Sequence, residues 1–222
     1  MPPRDVERRA AMHHALGDPR RLTIVEALRL SDHTPKELQG LSGLGSNLLA
    51  FHLDVLERAG IVERSRSEGD GRRRYVRLRP EGLASMWLPP SLRVGQLLFV
   101  CTHNAARSQL AAALWQRATG WSAASAGSSP APEVHPLAVA TAQAHGLELA
   151  GAPRGYEEVE DPPDLVVSVC DRAREAGPPF AAPTLHWSVP DPIGGGPVEF
   201  QRAYAHLSAR VELLAASVAT AA

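Results

Sequence analysis

The most constraining feature of this chain is an apolar run, Leu97–Val100, that ends at Cys101 and is followed after five residues by Arg107 and Ser108. A pattern typical of a helix continues from there to Thr119. This order predicts a strand, a tight loop and a helix, with the helix N-terminus turned toward the loop. Backbone N–H groups and the helix dipole at such a junction favour negative charge. The segment therefore predicts a cradle for a tetrahedral oxyanion.

Two side chains of this segment can bind an anion or act as a nucleophile. The planar guanidinium of Arg107 can bind two oxygens of an oxyanion at once, and the same field would stabilise Cys101 as a thiolate, which is a nucleophile at neutral pH. The spacing also fits a buried cysteine that closes a core strand, with Arg107 on the surface of the next helix, and this alternative stays open at this point. The predicted oxyanion-binding residues are Thr102, His103, Asn104, Ala105, Ala106 and Arg107.

Composition narrows the class of protein. A chain of 222 residues with 44% hydrophobic and 21% charged residues can form one large or two small domains without covalent staples. Its two cysteines form no paired motif, which excludes a disulfide framework and a cysteine-based zinc knuckle and suits a reducing cytosol. No apolar run approaches the roughly 20 residues of a membrane span, and the first residues lack the apolar core of a signal peptide. We therefore expect a cytoplasmic protein with no membrane partner and no metal site.

Charge and proline divide the chain into two predicted domains, residues 1–91 and 92–222. Residues 1–90 hold 15 Lys and Arg against 12 Asp and Glu, whereas residues 91–222 hold 8 against 12. The two prolines of Leu88–Ser91 make that segment a plausible linker. We therefore expect an anionic polymer to bind the N-terminal domain rather than the C-terminal one.

Local signals in the first domain predict four helices followed by a β-hairpin. Asp18-Pro19 offers an N-cap with proline at the first helical position, and Thr34-Pro35-Lys36-Glu37 is a capping box. Ser46 is predicted to cap the fourth helix, and Gly60 to end it. The predicted helices span 6–16, 18–30, 34–42 and 46–59, the strands span 61–67 and 72–78 around the turn 68–71, and a short further helix spans 80–87.

Two stretches of this domain, Ala15–Leu22 and His52–Val62, resemble the arsenic-repressor (ArsR) family over roughly residues 8–80. The resemblance implies a winged helix-turn-helix that binds palindromic operator DNA as a homodimer, with the fourth helix in the major groove. Phe51 and His52 could instead pack inside the domain. The DNA-binding residues that the resemblance implies are Ser46, Asn47, Ala50, Phe51 and His52, with Arg72, Arg73 and Arg74 on the DNA backbone.

The third helix departs from the metal-sensing members of that family. Those repressors carry a cysteine pair there, whereas this chain has Glu37–Leu41 and no thiol anywhere in residues 1–90. This excludes direct sensing of arsenite or soft metals by that route. His13, His14 and His33 are too loosely spaced to predict a metal site.

Predicted strands and helices alternate from residue 92 onward, which is typical of a parallel sheet flanked by helices on both faces. Ligands of such sheets bind at the carboxyl ends of the strands, where Cys101 falls. The predicted strands span 96–100, 122–125, 165–169 and 183–187, and the predicted helices span 108–119, 135–145 and 198–217.

Four segments of this half resemble the low-molecular-weight tyrosine phosphatase fold, and within it the thioredoxin-type arsenate reductases more than the true phosphatases. They are Val100–Ser108, Ser125–Gly127, Asp164–Cys170 and His186–Pro192. The resemblance implies Cys101 as the nucleophile, Arg107 as the oxyanion clamp, Ser108 as a hydrogen-bond partner of the thiolate and Asp191 as the general acid on the leaving oxygen. The alternative for Asp191 is a helix or turn cap beside Pro192.

Cys170 distinguishes two reaction classes. A phosphatase lets water attack the thiophosphate, whereas a reductase needs a second thiol to attack the nucleophilic cysteine, expel arsenite and leave a disulfide. The resemblance places Cys170 at the position of the first resolving cysteine, although a small buried hydrophobe is the alternative. Asp191-Pro192 is followed by Ile193-Gly194-Gly195-Gly196, with no aromatic residue to stack on a phosphotyrosine ring. The sequence therefore favours arsenate.

Two departures limit this assignment. Gly177 stands where thioredoxin-coupled relatives hold a third cysteine, so the reductant is expected to be a low-molecular-weight thiol or a redoxin acting directly on the oxidised enzyme. His103 replaces a glycine common in the loop and could strain the cradle or add a donor to it.

The predicted function is an arsenate reductase fused to an ArsR-type transcriptional regulator. A low-molecular-weight protein tyrosine phosphatase and a non-catalytic regulator that senses an oxyanion are the alternatives. The expected partners are arsenate or phosphate, operator DNA and the thiol reductant, with no tightly bound cofactor.

Overall fold

The computed structural model describes residues 3–79 and 92–220. Contacts divide the chain into two compact units, one made of Met1–Ser67 and Gly71–Trp87, the other of Glu68–Asp70 and Leu88–Ala222. The segment Glu68–Asp70 thus clusters with the second unit. The predicted helix at 80–87 and the predicted linker at 88–91 lie outside the described residues.

The first unit contains four helices and an antiparallel hairpin, as predicted. Asp18 and Thr34 cap the second and third helices through their side chains, and Glu37 completes the capping box. Ser46 is the first residue of the fourth helix rather than its cap, because Gly45 occupies the cap position. The elements are α1 Pro3–Leu16, α2 Pro19–Ala27, α3 Pro35–Ser42, α4 Ser46–Arg58, β1 Val62–Arg66 and β2 Arg74–Leu78.

The core of the first unit forms where helix faces meet the hairpin. Leu38 of α3 and Leu49 and Leu56 of α4 are at most 1% exposed, and Val76 of β2 is fully buried. The hairpin pairs Val62 with Leu78 and Arg66 with Arg74. This part of the structure is consistent with the predicted winged helix-turn-helix.

The strands of the second unit are β3 Leu92–Val94, β4 Leu97–Cys101, β5 Ala124–Gly127, β6 Leu165–Ser168, β7 Thr184–His186 and β8 Val218–Thr220. Four of them form a fully parallel sheet in the order β5-β4-β6-β7. The strand that precedes the loop, β4, is therefore central, and all five of its residues are buried. The remaining strands β3 and β8 form a separate parallel pair.

Helices follow the strands of the sheet. The helix after β4 packs against the last helix of the chain, which also contacts the helix after β5. The helices are α5 Arg107–Thr119, α6 Pro136–Ala144, α7 Asp171–Ala176 and α8 Pro197–Ala215, with a 3-10 turn at Tyr156–Glu158. The sequence pattern does not predict α7, β3 and β8, because elements of three to six residues are too short to show a hydrophobic period.

One face of the sheet is covered by loops as well as helices. Leu98 and Val100 of β4 and Val166 of β6 form a buried cluster on that face. Tyr156 of the 3-10 turn and Phe180 pack against it, with their rings edge to face at 5.5 Å. In residues 3–79 and 92–220, no helix is long and apolar enough to cross a membrane.

Candidate active site

The loop after β4 turns its carbonyl groups outward. The carbonyl oxygens of Cys101, Thr102, His103 and Ala105 accept hydrogen bonds from backbone N–H groups of residues 128–135, at 2.8–3.3 Å. The loop then enters α5 at Arg107. With four of its carbonyls engaged on the outside, the loop and the first turn of α5 leave backbone N–H groups for the inside of the cradle, as an anion-binding loop requires.

Gly127 at the end of β5 allows the loop to lie this close. A Cβ atom at Gly127 would stand 2.6 Å from the carbonyl oxygen of Thr102 and 2.9 Å from the backbone nitrogen of Asn104. Both are backbone atoms of the loop, so neither can swing away. The small residue that ends the Ser125–Gly127 motif is therefore a packing requirement of the cradle.

The sulfur of Cys101 lies among donors at the base of the loop. It is 3.0 Å from the hydroxyl of Ser108 and accepts a hydrogen bond from the backbone N–H of Asn104 at 3.1 Å. The side-chain amide of Asn104 donates to the Ser108 hydroxyl at 2.8 Å. That second bond occupies an acceptor site of the hydroxyl and leaves its proton to be directed at the sulfur.

Asn104 holds the loop in a conformation that few residues adopt. Its φ is +50°, and among the described residues it is the only non-glycine with positive φ. Its side-chain oxygen accepts the backbone N–H of Arg154 at 3.0 Å, and the residue is fully buried. Asparagine tolerates the left-handed region better than most residues. Asn104 therefore shapes the loop, a role that the spacing of Cys101 and Arg107 does not indicate.

His103 does not strain the cradle. Its φ is not positive, so the backbone there is open to any residue and does not require glycine. Its ring nitrogen Nδ1 lies 2.9 Å from the carbonyl oxygen of Ser129. The ring is thus held by the segment outside the loop, and the expectation that His103 could distort the cradle is not met.

Arg107 is buried at the mouth of the cradle and is surrounded by acceptors. Its Nη1 donates to Glu68 Oε1 and to the carbonyl oxygen of Val189, each at 2.7 Å, and its Nη2 lies 3.0 Å from Asp191 Oδ2. Burial opposes the charged guanidinium, but the Cys170 sulfur and the carboxylates of Glu68 and Asp191 outweigh it and raise the pKa of Arg107. The guanidinium is therefore permanently cationic, as an oxyanion clamp must be.

Asp191 is joined to the same guanidinium from the loop before α8. Its Oδ1 also accepts the backbone N–H of Ile193 at 3.1 Å, so the turn-cap role coexists with the position beside Arg107. Its own backbone N–H donates to Glu68 Oε2 at 2.9 Å. The structure thus brings together the nucleophile, clamp and acid that the sequence predicted, and adds Glu68, which the sequence did not indicate.

Cys170 lies beside the loop at the end of the neighbouring strand. Its sulfur is 3.2 Å from the hydroxyl of Thr102, and both cysteines are free and buried. Burial raises the pKa of the Cys170 thiol, against the opposing effects of the Arg107 charge and the Thr102 hydroxyl. Cys170 is therefore a protonated thiol at neutral pH that adjoins the cradle.

A buried acid and histidine lie directly behind Cys170. Asp171, the first residue of α7, places Oδ1 3.2 Å from His186 Nε2, and the other ring nitrogen of His186 is 2.8 Å from the Ser168 hydroxyl. Burial acts to raise the pKa of Asp171, but the contact with His186 and the backbone N–H of Glu68 lower it overall. This network fixes the start of α7, and the sequence did not indicate it because its members lie on separate elements.

Tyr156 approaches both thiols from the covered face of the sheet. Burial, and then the charges of the Cys101 and Cys170 sulfurs, raise the pKa of its phenol to about 12. The phenol is therefore neutral across the physiological range.

The residues predicted to face DNA lie on α4 and in the hairpin of the first unit. Ser46, Asn47 and Ala50 are exposed, Phe51 is 55% exposed, and the three arginines Arg72, Arg73 and Arg74 are exposed. His52 is only 3% exposed. The prediction that His52 faces outward is therefore wrong, because its position three residues after Leu49 places it on the buried face of α4.

Other arginines of the hairpin are engaged with acids of the same unit. Arg64 pairs with Asp54 and Glu57 of α4, while Arg77 and Arg79 pair with Glu63. Within the part of the chain that the structure describes, no group of three or more His, Cys, Asp or Glu side chains is placed to hold a metal ion.

The second unit matches a known protein family. Residues 96–222 match the profile of the family described as low molecular weight phosphotyrosine protein phosphatase. An arsenate reductase of Brevibacillus brevis is 31% identical over 125 residues, which cover 54% of this chain and 92% of that protein. Arsenate reductase 1 of Bacillus cereus is 30% identical over 122 residues, covering 52% of this chain and 90% of that protein.

A solved structure is also similar to this chain. The crystal structure of arsenate reductase from Archaeoglobus fulgidus has a TM-score of 0.50 and 34% sequence identity, covering 54% of this chain and 98% of that one. The family match leaves residues 1–95 outside it. Two of the relatives, at 30% and 31% identity, are named arsenate reductase. The chain therefore belongs to the low molecular weight phosphotyrosine protein phosphatase family.

Proposed function

We propose that the second unit reduces arsenate to arsenite with Cys101 as nucleophile and Cys170 as resolving thiol. The observation that carries this proposal is the position of Cys170, whose sulfur lies 3.2 Å from Thr102, the residue next to the nucleophile. A hydrolase needs no second thiol there. Relatives named arsenate reductase support the same reaction.

The first step is displacement at arsenic. The Cys101 thiolate attacks arsenic, a sulfur–arsenic bond forms, and an arsenic–oxygen bond breaks. The leaving oxygen departs as water when it receives a proton, and Asp191 is the acid placed to give one. Arg107 holds the remaining oxygens. Asp191 is paired with Arg107 in this structure, so that pair opens before the acid acts.

The second step is reduction. The Cys170 thiolate attacks the sulfur of Cys101, a disulfide forms, and the electron pair of the sulfur–arsenic bond stays on arsenic, which leaves as arsenite. The Cys170 proton goes to solvent or to the departing arsenite. Each turnover thus converts two thiols and one arsenate into a disulfide, arsenite and water. An external dithiol, or two equivalents of a low-molecular-weight thiol, then reduces the Cys101–Cys170 disulfide.

Replacement of each cysteine tests this proposal. Purified protein with a thiol reductant should consume arsenate, and both Cys101→Ser and Cys170→Ser should abolish steady-state turnover. Hydrolysis of an aryl phosphate is the matched control reaction. If Cys170→Ser leaves arsenate turnover intact, Cys170 is not the resolving thiol, because the external thiol then attacks the Cys101 adduct directly. If the wild-type chain hydrolyses the aryl phosphate and does not reduce arsenate, the phosphatase alternative replaces this proposal.

We propose further that the first unit is an ArsR-type winged helix-turn-helix that binds operator DNA as a homodimer. The supporting observation is the exposed, neutral face of the first half of α4, formed by Ser46, Asn47, Ala50 and Phe51, next in sequence to a hairpin with exposed arginines. A recognition helix reads bases with such a surface, while arginines of the wing neutralise phosphates.

Salt dependence tests the DNA-binding proposal. The probe is duplex DNA from directly upstream of the coding sequence, with a scrambled duplex as control. Changing Arg72, Arg73 and Arg74 together to Ala should weaken binding and reduce the slope of log affinity against log salt by up to about 2.7, at about 0.9 for each phosphate that is no longer neutralised. Arg202→Ala, at an exposed position of α8, should leave the slope unchanged. Equal affinity for both duplexes, or an unchanged slope in the triple variant, contradicts the proposal.

A further inference from the structure

A carboxylate already occupies the oxyanion clamp. Glu68 places Oε1 2.7 Å from Nη1 of Arg107 and accepts the backbone N–H of Asp191 on Oε2 at 2.9 Å. Its own backbone N–H donates to Asp171 Oδ2 at 2.9 Å. Three residues of the active site therefore hold Glu68 from three sides, and all of these contacts lie within the second unit.

Neither Nη atom of Arg107 is left without an acceptor in this arrangement. Nη1 is shared between Glu68 and the Val189 carbonyl, and Nη2 is paired with Asp191. A tetrahedral oxyanion with an oxygen on Nη1 needs the donor that Glu68 occupies. The side chain of Arg107 is only 5% exposed, which limits the space for a second anion beside the Glu68 carboxylate. Glu68 and a clamped oxyanion thus compete for Arg107.

We propose that Glu68 is an internal competitor of the oxyanion, so that arsenate or phosphate binds Arg107 only after this carboxylate leaves. The affinity for an oxyanion is lowered by the fraction of molecules in which Glu68 holds the clamp. Departure of Glu68 also breaks its bond to the Asp191 backbone, which frees the loop that carries the acid.

Titration with inorganic phosphate tests the competition, since phosphate is not reduced and the measurement needs neither turnover nor Cys170. Isothermal titration of the full chain should give Glu68→Gln a phosphate affinity at least about tenfold higher than wild type, the factor expected when a charge-assisted hydrogen bond is removed from the competing state. Glu68→Asp keeps the charge but is too short to reach both Arg107 and the Asp191 N–H, so it should also bind phosphate more tightly.

Glu63→Gln is the matched control. It removes the same charge from the same hairpin, where Glu63 pairs with Arg77 and Arg79, and should leave phosphate affinity within about twofold of wild type. Phosphate affinity that is unchanged or lower in Glu68→Gln overturns the proposal, as does an equal gain in Glu63→Gln, which would indicate a long-range charge effect. A chain that fails to reduce arsenate but shows the expected phosphate shift would refute the proposed reaction and not the competition.

Discussion

Gly127→Ala should disable the oxyanion loop without touching any reacting group. The added Cβ would lie 2.6 Å from the Thr102 carbonyl oxygen and 2.9 Å from the Asn104 nitrogen, well inside van der Waals contact. Both atoms belong to the loop backbone, whose carbonyls are tied to residues 128–135. The loop must therefore shift by several tenths of an ångström toward the cradle.

The magnitude has two parts. Overpacking of this kind costs about 1–3 kcal/mol of unfolding free energy, and a misplacement approaching 1 Å in a catalytic loop costs about 100-fold in rate. We expect Gly127→Ala to lower kcat/KM for arsenate about 100-fold and to lower the free energy of unfolding in urea by about 2 kcal/mol. Phosphate affinity should fall in parallel.

Gly40→Ala is the control for this prediction. Gly40 lies inside α3, and a Cβ there meets nothing within 4 Å. Alanine in a helix is favoured over glycine by about 0.5–1 kcal/mol, so this variant should be slightly more stable and fully active. Full activity in Gly127→Ala would show that the shape of the loop does not depend on its close approach to β5.

Three further variants and conditions test the site. Asn104→Ala should lose about 2–4 kcal/mol of stability and most activity, because it removes buried hydrogen bonds and places at φ +50° a residue that adopts this conformation less readily. Asn104→Gly restores only the backbone freedom, so it should recover stability more than activity in the same urea and turnover assays. Because the pKa of Asp171 is lowered in the fold, it stabilises the protein above the unfolded value of about 4, and that contribution is lost as pH falls through the lowered pKa. Asp171→Asn should therefore be less stable than wild type at pH 7 and show a shallower loss of stability below pH 4 in acid titrations followed by circular dichroism; identical curves would contradict this. Because burial raises the pKa of Cys170, disulfide formation in a single turnover should speed up by about tenfold per pH unit between pH 7 and 9, and a flat profile in rapid-quench measurements would show that Cys170 is not the attacking thiol.

Local signals in the sequence were sufficient to predict most of the fold. The capping box at Thr34 and Glu37 and the turn at residues 68–71 lie at the predicted places. The strand, loop and helix around Cys101 also agree with the structure, because their hydrophobic pattern and their chemistry point to the same arrangement. The shortest elements, β3 and β8, could not be predicted because three residues carry no period.

The parts of the site that sequence reasoning missed depend on tertiary contacts. Glu68 precedes Arg107 by 39 positions, and a glutamate in a hairpin turn is ordinarily a solvated residue. The pairing of Asp171 with His186 joins a helix start to a strand end. The resemblance that implies DNA contact for His52 does not account for its position three residues after Leu49, which places both side chains on the buried face of α4.

Joint action of Cys101 and Cys170 on arsenate can be observed directly by mass spectrometry. The reduced chain is treated with one equivalent of arsenate, alkylated and digested under non-reducing conditions. We expect a Cys101–Cys170 disulfide, a loss of two mass units and arsenite in equal amount, and none of these with phosphate in place of arsenate. Two alkylated thiols after arsenate treatment, or a disulfide that forms equally with phosphate, would contradict the proposed reaction.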